Sequence, residues 1–162
     1  MRRSVRIKLG DVFEVPLAEG KVGYVQYIAD DSSMLDSYVI RAFRGFHPAF
    51  SPPSPEDLIA GEVHFYAHVF LKLCVKYGHW RKIGTAPLPE RIDVLFRGSW
   101  DHGNPEVKVS KRWYIWRINE PLRDIGELRA EYQSAEIGCV LPYDAIAERL
   151  LTGSYAMVYP GY

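Results

Sequence analysis

From Asp11 to Phe43 the apolar residues come in short runs divided by turn-formers, the pattern of strands joined by hairpins. Val12, Phe13 and Val15 lead to Pro16, and Ala18–Glu19–Gly20 supplies a turn in which Gly20 tolerates positive φ. On the return, Val22, Tyr24, Gln26 and Ile28 share one face, and Gly23, Val25 and Tyr27 the other. A glycine inside a strand predicts a bulge or a close backbone approach at Gly23. Residues 37–43, SYVIRAF, read as a third strand.

The pattern then breaks. Pro48, Pro52, Pro53 and Pro55 forbid regular pairing across residues 44–61, although Ser54 can cap a short helical turn over SPEDLIAG. From Glu62 to Lys76 the alternation resumes: Val63, Phe65, Ala67, Val69, Leu71, Leu73 and Val75 are apolar, and the intervening positions are mostly polar or amphipathic. This period of two predicts one long strand, or two joined by a bulge. Trp80 and Ile83 lead into a proline-containing turn. Strands are predicted in residues 91–98 and 108–118, around a turn-rich loop at 99–106. Residues 119–136 read as a charged, partly helical surface connector. A strand is expected in 135–142, a helix within 142–153 ended by Gly153, and a final strand in 154–162. Strands following one another without intervening helices predict a mainly β domain with minor α, spanning residues 1–162. The expected architecture is a strongly curved antiparallel sheet or small, partly open barrel with one C-terminal helix.

Composition narrows the function classes. Aromatic residues make up 14% of the chain, which suits pleated, half-buried surfaces. Lys plus Arg and Asp plus Glu both total 20, so the basic excess that marks a nucleic-acid binder is missing, and Arg2, Arg3, Arg6 and Lys8 form only a local basic cluster. The N-terminus shows no signal-peptide core, and the apolar tract at 63–75 is interrupted by His64, His68 and Lys72. A cytoplasmic protein that engages neither membrane nor nucleic acid is therefore expected. Cys74 and Cys139, each among apolar neighbours, read as buried free thiols.

Little in the chain points to reaction chemistry. His64 and His68 have the i, i+4 spacing of helical metal ligands, but in a strand they stand about 13 Å apart. His102 beside Asp101 lies in a turn composition. Phosphate-cradling glycine loops and the nucleophile-elbow motif do not occur. No catalytic residue, metal or cofactor is expected. Trp100, in the polar loop GSWDHG, either anchors a partner or tucks back beneath its loop. A competing reading is a small-ligand β-barrel lined by Tyr66, Phe70 and Trp116; another is a nucleic-acid-binding barrel using the basic N-terminus.

The opening hairpin resembles the N-terminal signature of the bacterial immunity protein 26 family through Gly10, Asp11, Phe13, Pro16, Gly20, Gly23 and Tyr24. The stretch HWRKIGTAPLP is similar to a second family element through Trp80, Ile83, Gly84 and Pro87. The resemblance covers residues 8 to about 90. It implies a non-enzymatic antidote that binds and neutralises a cognate toxin effector by non-covalent occlusion. Because many bacterial toxins are nucleases with basic clefts, the resemblance also suggests partner contacts at acidic loop residues: Asp30, Asp31, Asp36, Glu56 and Asp57, with Trp100 and Asp101.

Overall fold

The computed structural model describes residues 4–162; Arg2 and Arg3 of the basic cluster lie outside them. In chain order the elements are β1 (Asp11–Pro16), β2 (Lys21–Asp31), β3 (Ser37–Phe43), β4 (His47–Pro48), α1 (Pro55–Ile59), β5 (Val63–Val69), α2 (Leu71–Lys76), β6 (Arg81–Thr85), β7 (Leu95–Ser99), β8 (Trp113–Arg117), β9 (Arg123–Gly126), β10 (Glu136–Ile137), β11 (Val140–Leu141) and α3 (Tyr143–Thr152). The larger sheet has seven strands in the order β11-β5-β3-β2-β1-β6, with β4 attached to β2; the smaller has four, β10-β7-β8-β9.

Neither sheet is closed or curled, which corrects the expected barrel. It also removes the enclosed lumen that a ligand-binding barrel would need. The hairpin explains why. Both faces of β2 are apolar, so both require a cover. Val25 and Tyr27 on one face join Phe13, Val15, Ile40 and Phe65 beneath Leu71 and Cys74 of α2 and Ile146 and Leu150 of α3. Ile28, on the other face, joins Val39 beneath Phe96 and Trp116 of the smaller sheet. At the other end of that face, Val22 and Tyr24 meet Leu58 of α1. Separate layers bury the sheet on both sides, so it need not close on itself. The pairing is also mixed rather than antiparallel throughout, because β11 runs parallel to β5 and β10 parallel to β7.

Local signals account for most of the elements. The β1–β2 turn uses Glu19 (φ 61°) as well as Gly20 (φ 68°). A Cβ at Gly23 would stand 3.0 Å from Leu150 Cδ1, so this glycine is the close approach of α3 rather than a bulge. The Asp57 N–H donates to Ser54 Oγ at 3.2 Å and caps α1. Gly153 (φ 87°) ends α3.

Three expectations change. The period-two run stops at Val69: Phe70 turns the chain (φ −80°, ψ 59°) and α2 begins, with Leu71 and Cys74 buried at helical spacing. The charged connector contains strand β9 as well as a single 3₁₀ turn at Ala130–Tyr132. The C-terminal segment forms no strand, only an isolated bridge between Val109 and Gly161.

Candidate functional site

Asp31, expected on a surface loop, is fully buried at the end of β2, and the polar groups around it join the two sheets. His68 of β5 meets its Oδ2 at 2.9 Å, and the indole N–H of Trp116 in β8 donates to the same oxygen at 2.9 Å. The Asn119 backbone N–H donates to Oδ1 at 3.1 Å, and Ser33 Oγ at 3.2 Å. Burial by itself would push the Asp31 carboxyl up. The hydrogen bonds from His68, Trp116 and Asn119 outweigh it and hold the group below its ordinary value. Burial pushes the His68 imidazole down, against an upward pull from Asp31. Its Nδ1 has no partner among the described residues. A neutral ring donating its Nε2–H to the carboxylate fits both facts.

A His–Asp pair of this kind has the composition of an acid–base dyad, but no substrate can reach it. Both side chains are fully buried, and the imidazole lies 4.2 Å, centroid to centroid, from the Phe96 ring, with Trp116 next to it. The thiols are no better placed: burial pushes Cys74 up to about 12 and Cys139 up to about 11, so both stay protonated near neutrality. Among the described residues no group of three or more His, Cys, Asp or Glu side chains could hold a metal ion, and no helix is long and apolar enough to cross a membrane.

The other residues expected at a partner surface are dispersed. Asp101 is also buried, accepting from Ser110 Oγ at 2.7 Å and Arg112 Nη1 at 3.3 Å, which closes its own loop. Trp100 is 49% exposed, yet its indole N–H donates to Asp124 Oδ1 at 2.7 Å and its ring lies 4.5 Å from that of Tyr114. It is thus half tucked and half presented. Asp30 is exposed and accepts from the Tyr27 hydroxyl. Glu56 and Asp57 are exposed on the first turn of α1. Asp36 (φ 42°) is exposed beside a groove lined by Leu35, Tyr38, Phe70 and Leu73.

The residues proposed for a barrel lumen do not converge either. Phe70 faces outward, 45% exposed, whereas Trp116 is sealed between the sheets. Sequence reasoning missed two features here: the Asp31 network, and the apolar surface of α2 formed by Phe70, Leu73 and Tyr77. The second was visible as a helical repeat that period-two counting overrode.

Two β layers thus seal the Asp31–His68 pair between them and spread the exposed acidic and aromatic groups over separate elements. The immunity protein 26 family model matches residues 8–108, and the chain belongs to that family, whose members are typically non-catalytic. The match runs from the opening hairpin through β7 and the loop after it. Neither a curated protein nor a solved structure matches the chain.

Proposed function

We infer that this protein neutralises one cognate bacterial toxin by binding it non-covalently and occluding it, without chemistry of its own. Family membership over residues 8–108 carries the reading. Toxin neutralisation is what the family implies; the single partner and the occlusive mode are the finer proposal. An antidote of this kind needs a rigid scaffold and a complementary exterior, and a standard interface buries about 1,600 Å² around a few anchors. On the exterior, Trp100, Asp30, Asp36, Glu56 and Asp57 remain available to a partner. Asp31 and Asp101 contribute indirectly, by fixing the loops from beneath. The protein would work in the cytoplasm of the producing cell, and a nuclease is one activity its partner could have.

The test is co-expression with the toxin encoded beside its gene. Rescue of growth, together with a purified stoichiometric complex that lacks toxin activity, is the expected result. Rescue without a complex would overturn occlusion, and failure of both would overturn the reading.

A further inference from the structure

Two hollows on the molecule adjoin one another along one sheet edge. Depressions of about 640 and 840 Å³ share Val5, Val75 and Gly78, forming a single trough between α2, the N-terminal segment and β6. Strand β6 ends the seven-stranded sheet: it pairs with β1 on one side and, among the described residues, has no strand on the other. An edge strand directs alternate N–H and C=O groups outward, where an added strand can use them. Val5, Val75 and Ile83 give the trough apolar ground. Trp80 also lines it, and its buried indole N–H has no acceptor among the described residues.

The charge around the trough has one sign. Lys72, Lys76, Arg81 and Lys82 line it, and among the described residues no carboxylate does. Two of these cations are already paired, Arg81 to Glu14 at 3.1 Å and Lys82 to Asp11 at 2.8 Å. Lys72 and Lys76 are exposed and form no ion pair among the described residues; each lies 5.6 Å from a tyrosine ring, Tyr38 and Tyr77 respectively. The acids, by contrast, are scattered over separate elements. Lys72 and Lys76, the two lining cations outside any ion pair among the described residues, therefore favour an acidic occupant rather than a basic one.

We propose that this trough receives an extended, acidic segment of the toxin as an added strand on the free edge of β6, its carboxylates meeting Lys72 and Lys76 and its alternate side chains resting on Val75 and Ile83. The proposal rests on the toxin-binding reading above. An open strand edge beside apolar ground fits a polypeptide better than a nucleic acid, whose backbone offers no ladder to extend.

Two measurements on the full chain test it. In the first, hydrogen exchange and calorimetry follow binding of the adjacent-gene toxin domain. Residues 71–78 and 81–85 should gain protection. A K72E/K76E variant, verified as folded by circular dichroism, should bind at least about tenfold more weakly. Unchanged affinity with protection elsewhere would overturn the trough and leave toxin binding standing; no binding by either form would overturn the toxin reading itself.

The second measurement needs no toxin. A peptide of about eight residues alternating Glu and Val is titrated into the isotope-labelled protein. Amide resonances of 81–85 should move, and a Lys–Val counterpart should leave them in place. Absence of shifts with the Glu–Val peptide, or stronger shifts with a single-stranded oligonucleotide, would overturn the acidic-strand assignment.

Discussion

The seam between the sheets and the trough beside β6 use charge in opposite ways. In the seam one carboxylate is withdrawn from water and completely partnered, and its donors come from β5, β8 and the loops after β2 and β8. In the trough two ammonium groups stay in water and form no ion pair among the described residues, although Asp30 acts on Lys72 from a distance. A buried charge is tolerable only when its hydrogen bonds are satisfied, so the seam can hold one arrangement. An exposed lysine loses little by being unpaired, so the trough can wait for a partner. The seam should govern whether the protein folds, and the trough what it holds.

The strongest way to break that division is Asp31→Ala. It leaves the His68 and Trp116 N–H groups buried without an acceptor, each costing about 1–3 kcal/mol, for a total loss of about 3–5 kcal/mol. Urea denaturation measures it. A loss under about 1 kcal/mol would show that the sheets are held by apolar contact alone. Next in size is Gly138→Ala. A Cβ there would stand 1.9 Å from Trp116 Cη2, and the indole cannot retreat without releasing its bond to Asp31. Overpacking of this sort costs about 1–3 kcal/mol. The double variant with Asp31→Ala should lose less than the sum, because the ring is then free to shift.

The seam also makes stability depend on pH, by a smaller amount. Burial holds His68 below its ordinary value of 6.5, so below that value the unfolded chain binds a proton that the native state refuses. Stability therefore falls as pH drops below 6.5, until the folded-state value is reached. Asp31, also held low, extends the loss further into acid, below the ordinary carboxylate value of 3.8. His64 contributes with the same sign, its value lowered by burial and then by Arg44. The urea midpoint should drop between pH 7 and pH 5. His64→Gln should remove part of that drop, and His68→Gln a further part despite its lower stability at pH 7. A midpoint equal at both pH values would mean that neither ring is neutral in the folded state.

These same residues show what could be read from the chain and what could not. The hairpin, β3, the Ser54 cap and the Gly153 stop are local matters of periodicity and turn chemistry, and they were legible. So was the burial of the Cys74 thiol, whereas Cys139, also expected to be buried, is only half-buried. The burial of Asp31 was not, because Asp-Asp-Ser-Ser has the composition of an exposed turn, and its partners lie 37 and 85 residues away. The alternation of His64, Tyr66 and His68 with apolar residues implied a wet face; the second sheet seals His68, while His64 and Tyr66 stay half-buried. The open architecture was missed for a related reason: covers supplied by α3 and β7–β8 are long-range, and strand order alone suggests closure. Among the surface residues proposed from acidity, Asp36, Glu56 and Asp57 are where composition places them, while the contiguous basic trough is assembled from segments that are separate in sequence.

The smallest expected effect is the sharpest test of the comparison. In K72E/K76E two charges change sign, more electrostatic alteration than Asp31→Ala involves, yet both side chains are exposed and neither joins an ion pair or a buried network among the described residues. Reversal at such positions should shift stability by less than about 0.5 kcal/mol. It also places one carboxylate, at 76, at the C-terminal end of α2, a mildly unfavourable position, and the other, at 72, in the first turn, where the helix dipole favours it; salt screens both. Denaturation in low and moderate salt would resolve that residual. If the double reversal unfolded the protein as severely as loss of Asp31, the trough would be part of the frame, and any weakening of partner binding in that variant would report on folding. Unchanged stability would make Lys72 and Lys76 clean probes, since a loss of affinity could then be assigned to the surface alone.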